Sequence, residues 1–105
     1  MIIAELFAEQ GRLTGFHISG HSGYDEEGKD IICAFVSSAA YMAANTMTDI
    51  IGVKARTDVS DGDMLVRVSS KDAERCKDIL EGLKLHLMNT EEQYPEFLQV
   101  IFTEV

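Results

Sequence analysis

The chain has 105 residues, of which 18 are acidic and 9 are basic, so its formal net charge is −9. A hydrophobic fraction of 46% with 26% charged residues is typical of a globular protein and excludes wholesale disorder. The acidic excess argues against direct binding of nucleic acid, whose phosphates need a basic surface, and favours a basic partner. The length fits a single domain over residues 1–105.

The cysteine usage and the N-terminal segment bear on the cellular compartment. Cys33 and Cys76 lack the spacing of a disulfide framework, a zinc ribbon or a CxxC redox pair. The N-terminal segment has no leading positive charge, and its apolar run is too short for a secretory signal. The most apolar segment, residues 31–51, includes Asn45 and Asp49 and is therefore not interpreted as a membrane span. These features predict a cytoplasmic protein with reduced thiols and no membrane partner.

The first 30 residues predict a β-hairpin followed by a loop. Residues 2–8 and 13–20 are β-favourable and are separated by a short turn. The polar segment 21–30 contains Gly23 and Gly28 and is predicted to be a loop. Loops of this length carry a function more often than two-residue turns do.

A long helix is predicted from Ile31 to Ile51, with Asp30 as its N-cap and Gly52 as its C-cap. Few polar positions interrupt its surface, so we expect this helix to be covered on more than one side. Its alanines permit close approach of a sheet, a second helix or a second subunit. The apolar positions are Ile32, Phe35, Val36, Ala39, Ala40, Ala43, Ala44, Met47, Ile50 and Ile51.

A second hairpin follows this helix. Residues 53–59 alternate between apolar and polar side chains, and Asp61-Gly62 is typical of a tight hairpin turn before a strand over residues 64–68. The positions predicted to face inward are Val53, Ala55, Thr57, Val59, Met64, Val66 and Val68.

The remaining chain predicts one more helix and one more strand. Ser69 or Ser70 caps a helix over about residues 71–89, and a last strand covers about residues 97–103. The apolar stripe of that helix consists of Cys76, Ile79, Leu80, Leu83 and Leu87. The order ββαββαβ predicts an α+β fold in which one mixed sheet packs with two helices.

One histidine and one cysteine occupy positions suited to nucleophilic chemistry. His21 stands where a strand gives way to the glycine-containing loop, and Cys33 lies in the first turn of the long helix, 12 residues later. A helix N-terminus stabilises a nearby anion such as a thiolate by about 0.3–1 kcal/mol, and by up to ~2 kcal/mol when the anion is partly buried. Acidic residues of the loop oppose this effect, so the chemistry requires direct contact between His21 and Cys33.

Each of these residues also has a plain structural interpretation. A lone cysteine on an apolar helix is commonly an inert core residue, and Cys76 fits that description. His17 is the alternative to His21 as a base, because it has the same strand parity, while His86 fits a surface position. Ser37 follows Cys33 by one helical turn on the same face. Asp30 is first an N-cap, and the acidic loop residues are commonly solvated.

Other functional motifs are missing from the sequence. Neither a Walker-type phosphate loop nor a GxGxxG motif occurs, so nucleotide binding has no support. The segment Asp58–Asp63 lacks the alternating ligands and the twelfth-position glutamate of a calcium loop. The histidines and cysteines lack zinc-ligand spacing. No metal or cofactor is therefore expected.

Residues 20–38 contain Gly20-His21, a glycine-containing acidic loop, and the pattern G-x-D-I-x-C-A-x-V-S over residues 28–37. This combination resembles the ribosomal-processing cysteine protease family (Prp). The length, the order of elements and the closing EQYPEF segment at residues 92–97 extend the similarity to the whole chain. One departure is Ser22, where the family pattern has alanine.

This resemblance implies a cysteine peptidase in which Cys33 is the nucleophile and His21 is the general base and later the acid. Gly20, Asp30 and Ser37 would support the site. The substrate loop between the two catalytic residues would consist of Ser22, Gly23, Tyr24, Asp25, Glu26, Glu27, Gly28 and Lys29. We expect this loop to close over the bound peptide on its glycine hinges.

The resemblance also implies the partners. The substrate would be the N-terminal extension of the large-subunit ribosomal protein numbered twenty-seven, cut after two aromatic residues and before a small residue and a basic stretch. The family resemblance further implies a homodimer, for which the apolar helix 31–51 offers an interface.

Two other classes of protein remain open from the residues alone. A non-catalytic dimeric module that binds ribosomal protein would keep the acidic surface without depending on the thiol. A thiol-redox sensor would use Cys33 as its peroxide-reactive sulfur and would need a resolving partner, for which buried Cys76 is poorly placed.

Overall fold

The chain begins with the predicted hairpin. Strand β1 covers Ile2–Glu9 and strand β2 covers Arg12–Ser19, paired antiparallel. Gln10 and Gly11 both have positive φ, of 52° and 80°, as a two-residue turn compatible with strand twist requires. The structure is a computed structural model and describes residues 1–21 and 31–105.

The long apolar helix differs from its prediction in its last six residues. Helix α1 covers Ile31–Asn45, and a π-helical segment follows over Thr46–Ile51. The hydroxyl of Thr46 donates to the Met42 carbonyl at 2.8 Å, and that of Thr48 donates to the Ala44 carbonyl at 3.1 Å. Such side-chain bonds compete with the regular helical ladder and accompany the change in winding.

The π-helical segment ends at the predicted glycine. The predicted C-cap is confirmed, since Gly52 has a left-handed φ of 85° and its amide donates to the Met47 carbonyl. The expected cover on more than one side is not seen in the described chain. One face is buried in the core, through Ile32, Val36, Ala40, Ala43 and Ala44. Four large side chains away from that buried face are exposed, namely Ile31, Phe35, Tyr41 and Met42.

The second hairpin forms around the predicted turn but has a shorter first strand. Strand β3 covers Arg56–Ser60 and strand β4 covers Asp63–Arg67, joined at Asp61-Gly62. Of the positions predicted to face inward, Val53 is buried and Ala55 is half-buried before β3 begins. The prediction is wrong for Thr57 and Val59, because β3 is an edge strand and all five of its residues are exposed. The inward face of β4 is confirmed, with Met64, Val66 and Val68 buried.

The predicted helix 71–89 consists of two helices. Ser69 caps the short helix α2, Ser70–Ala73, by accepting a bond from the Asp72 amide, and helix α3 covers Lys77–Gln93. Between them the backbone makes i→i−3 bonds, and the Arg75 guanidinium donates to the carbonyl of Ile51. The bond from Arg75 to Ile51 links the interruption between α2 and α3 to the end of the π-helical segment.

Strand β5, Leu98–Glu104, completes a five-stranded mixed sheet. It pairs parallel with β1, and the strand order is β3-β4-β2-β1-β5. The helices cover one face of this sheet, where Leu6, Phe16 and Val66 meet Val36 and Leu80 in the core. The α+β fold predicted from the order of elements is therefore confirmed.

The stretch Ile31–Ile51 is long and apolar enough, by length and composition alone, to cross a membrane. Core helices of soluble proteins meet the same criterion. Here one face of that stretch packs against the sheet, as expected for a helix of the core.

Candidate active site

Gly20 determines where His21 points. Its φ of 90° lies in the left-handed region, and its amide donates to the carbonyl of Gly62 at 2.9 Å. A β-carbon at this position would lie only 2.4 Å from the carbonyl oxygen of Met1. Gly20 therefore ends the strand alternation of β2 and directs His21 to the face of the sheet that carries the helices.

The structure brings His21 and Cys33 together. Cys33 is half-buried near the beginning of α1, and its Sγ lies 3.9 Å from Nδ1 of His21. His21 is exposed at the end of β2. A thiol beside an imidazole is an arrangement that supports nucleophilic catalysis, because the ring can accept the thiol proton.

Both side chains line a cleft of about 360 Å³ between α1 and the β3–β4 hairpin. Ser37, one helical turn after Cys33, lies on the same wall and is half-buried. The apolar part of the lining comes from Ile2, Ile18, Val36, Ala40, Tyr41, Val59 and Met64. Asp61 and Asp63 of the β3–β4 hairpin also line the cleft, although the Asp63 carboxylate contacts His17 on the opposite face of the sheet. The cleft thus has a largely apolar lining, with the acidic residue Asp61 at the hairpin turn.

Part of the predicted site lies outside the described residues. These positions are the supporting residue Asp30 and the substrate loop Ser22, Gly23, Tyr24, Asp25, Glu26, Glu27, Gly28 and Lys29. Gly20 and Ser37 are described, and both line the cleft with His21 and Cys33.

His17, the alternative base, lies on the other face of the sheet. Its Nε2 is 2.8 Å from Oδ1 of Asp63, and its Nδ1 is 3.9 Å from a carboxylate oxygen of Glu5. Since Phe16 and Ile18 are buried under the helices, strand alternation places His17 on the opposite side. His86 stacks on the Phe35 ring, with centroids 5.4 Å apart.

Cys76 is a core residue, as its helical stripe predicts. Its side chain is fully buried at the beginning of α3. Burial raises the pKa of the Cys76 thiol, the Asp72 carboxylate adds to the rise, and Arg75 partly opposes it. A thiol that is buried and held protonated in this way is poorly suited to resolve an oxidised Cys33.

The β3–β4 turn was missed as part of the site. The sequence pattern identified Asp61-Gly62 only as a hairpin turn, whereas the structure places both residues on the cleft beside His21. No local pattern signals this contact, because it depends on β4 pairing with β2.

Within residues 1–21 and 31–105, no group of three or more His, Cys, Asp or Glu side chains is arranged to hold a metal ion.

The family model for cysteine protease Prp matches residues 1–99. The chain belongs to the cysteine protease Prp family. It is accordingly a peptide hydrolase, and the non-catalytic binding module loses its support.

Curated relatives and solved structures agree with this membership. The ribosomal processing cysteine protease Prp of Staphylococcus aureus strain Mu50 is 23% identical over 94 residues, covering 88% of this chain and 89% of that protein. The Bacillus subtilis strain 168 protein of the same name is also 23% identical over 94 residues, covering 84% of each chain.

A crystal structure of the S. aureus Prp protease, in complex with a covalently linked product peptide, superposes with a TM-score of 0.89. That pair is 23% identical and covers 98% of this chain and 100% of the other. SMU.848 from Streptococcus mutans matches with a TM-score of 0.79 and 27% identity, over 100% and 96% of the two chains. These likenesses support the α+β fold described above.

Proposed function

We propose that this protease removes the N-terminal extension of the large-subunit ribosomal protein numbered twenty-seven, using a catalytic dyad of Cys33 and His21. The observation that carries the dyad is the 3.9 Å separation between Cys33 Sγ and His21 Nδ1 in an open cleft. The ribosomal substrate is supported by relatives that are named ribosomal processing proteases. Such a substrate places the enzyme in the cytoplasm, where ribosomes mature.

The reaction proceeds in two half-reactions through a thioester. Nδ1 of His21 takes the proton from Cys33, and the thiolate attacks the carbonyl carbon of the scissile bond. When the tetrahedral intermediate collapses, the C–N bond breaks and the His21 imidazolium gives its proton to the leaving amine. A water molecule, deprotonated by His21, then attacks the thioester, which releases the carboxylate product and returns the proton to sulfur.

The beginning of α1 stabilises the negative charge that develops during these steps. Amide groups in the first turn of a helix point toward its N-terminus, where the helix dipole favours anions. Backbone amides of that first turn are our candidate donors to the oxyanion. Ser37 supports the site from the same wall of the cleft.

The cleft fits the substrate on both sides of the cut. Its apolar lining, which includes Val36, Tyr41 and Val59, offers contact area for the two aromatic residues before the scissile bond. Asp61 lines the cleft, and the whole chain has a net charge of −9. This charge attracts the basic stretch that follows the cut and speeds encounter with a cationic ribosomal protein.

A homodimer accounts for the exposed apolar face of α1. Ile31, Phe35 and Met42 are exposed there, and Leu85 and Met88 of α3 are exposed as well. Exposed apolar side chains on neighbouring helices are typical of a protein–protein interface. A symmetric pair of these faces would bury the surface that the sheet does not cover.

The proposed function is tested with a synthetic peptide that carries a leader ending in two aromatic residues, then a small residue and a basic stretch. We expect cleavage after the aromatic pair, identified by mass spectrometry, and loss of cleavage in Cys33→Ser and His21→Ala. Cys76→Ala is the matched control and should cleave at the wild-type rate. Cleavage by Cys33→Ser would overturn the dyad, and cleavage only elsewhere in the peptide would overturn the substrate.

A further inference from the structure

We infer that Gly62 is a positioning residue, and that the Asp61-Gly62 turn is a wall that holds the imidazole of His21 toward Cys33. This inference rests on the proposed function, in which His21 is the catalytic base. It adds a residue from a distant hairpin to a site otherwise built from the end of β2 and the beginning of α1.

The two ring nitrogens of His21 face different neighbours. Nδ1 lies 3.9 Å from Cys33 Sγ, while the opposite edge of the ring lies against Gly62. A β-carbon built on Gly62 would come within 2.9 Å of Nε2 and 3.4 Å of Cε1. The imidazole therefore occupies the space that any side chain at position 62 would need.

The wall is fixed at three points, so it cannot easily withdraw. The Gly62 carbonyl accepts a 2.9 Å bond from the Gly20 amide, immediately before His21. Ser60 and Asp63 pair across the hairpin on either side of the turn. Oδ1 of Asp63 lies 2.8 Å from Nε2 of His17 on β2. A side chain at position 62 would consequently displace the ring rather than the turn.

Tight turns need glycine for backbone reasons, but the backbone alone does not explain Gly62. Gly11 is the second residue of the other two-residue hairpin turn, as Gly62 is of its own. The φ of Gly11 is 80° and that of Gly62 is 70°. A β-carbon on Gly11 would meet no heavy atom within 4 Å. The two glycines share the conformational requirement, and only Gly62 also borders the catalytic ring.

Contact with this wall matters because His21 is exposed and needs a defined orientation to serve Cys33. A displacement of a catalytic group by about 1 Å can reduce the rate on the order of 100-fold. The turn restricts the ring on the side away from the thiol. Gly62 thus acts through His21 and does not touch the substrate in this proposal.

The test compares Gly62→Asn with Gly11→Asn, because asparagine tolerates left-handed backbone conformations better than other residues with a β-carbon. Thermal unfolding establishes that each variant folds. We expect Gly62→Asn to lower kcat by roughly 10- to 100-fold with little change in KM, and Gly11→Asn to retain wild-type kinetics. The pH profile of iodoacetamide alkylation at Cys33 should shift in Gly62→Asn toward that of His21→Ala.

A double variant tests whether position 62 affects Cys33 through His21. Adding Gly62→Asn to His21→Ala should leave the alkylation profile unchanged, since the displaced ring is already gone. Should Gly62→Asn not fold, Gly62→Ala supplies the same β-carbon with a smaller side chain, and Gly11→Ala is its control. Wild-type kcat and alkylation profile in a folded Gly62 variant would overturn the inference while leaving the dyad intact. Wild-type behaviour of His21→Ala would instead overturn the dyad itself.

Discussion

His17 and His21 lie four residues apart in the chain but on opposite faces of the sheet. His17 contacts the carboxylates of Asp63 and Glu5 on the open face, whereas His21 reaches Cys33 on the face covered by helices. Simple strand alternation gives both histidines the same side. The left-handed turn at Gly20 breaks that alternation, and so selects which histidine can act on the thiol.

Alkylation should distinguish the two cysteines. Cys33 borders an open cleft, while Cys76 is fully buried. We expect iodoacetamide to modify one thiol in the native protein, Cys33 by peptide mapping, and the second only after unfolding in guanidinium chloride. Cys33→Ala should then show no native labelling. Fast native labelling at Cys76 would contradict the described core.

The stability of the protein should fall in alkaline solution because of Cys76. Burial raises the pKa of this thiol above its ordinary value of 9.0. Above about pH 9 the unfolded chain loses the thiol proton while the folded chain keeps it, so the free energy of unfolding decreases as pH rises through that window. Each unit of the difference in pKa contributes about 1.36 kcal/mol.

Urea unfolding of the wild type and Cys76→Ala between neutral pH and the alkaline range measures this contribution. The variant should be less stable by about 1 kcal/mol at neutral pH, where it lacks buried sulfur contacts, and the difference should shrink above the ordinary thiol pKa. A difference that stays constant across the whole range would show that the Cys76 thiol has no part in the alkaline loss.

Gly20→Ala should destabilise the protein and impair catalysis together. The added methyl would lie 2.4 Å from the Met1 carbonyl oxygen, in a residue with a φ of 90°. We expect the free energy of unfolding to fall by about 2–4 kcal/mol, because overpacking and backbone strain add together. Urea unfolding measures this change. Gly52→Ala is the control, because its φ is 85° and its β-carbon would meet open space. If both variants lost the same free energy of unfolding, backbone strain alone would explain the effect and the contact with Met1 would contribute nothing.

A charge on the outer face of α1 should weaken the proposed homodimer. Met42 is 54% exposed on that face, and Met42→Glu would bury a carboxylate in the interface. We expect light scattering after size exclusion to give a dimer mass for the wild type and a monomer mass for this variant. Val105, the C-terminal residue, is 51% exposed and lies outside that face, so Val105→Glu should remain dimeric. A monomeric wild type would contradict the proposed interface.

Local patterns predicted those parts of the fold that local physics controls. Turn chemistry located both hairpins, and Gly52 and Ser69 cap their helices as expected. The split of the second helix depends in part on Arg75 reaching the Ile51 carbonyl, 24 residues away. The exposure of β3 depends on its place at the edge of the sheet, which alternation within one strand does not reveal.

The sequence by itself determined the chemistry of the site, since it supplied a histidine at the end of a strand and a cysteine near the beginning of a helix. Their 12-residue separation permits contact without requiring it. The tertiary structure decided the contact, because the Gly20 turn directs His21 toward α1. Strand pairing then brought Gly62 against the ring. Sequence-distant contacts of this kind arise from the order and pairing of strands, and no local propensity specifies them.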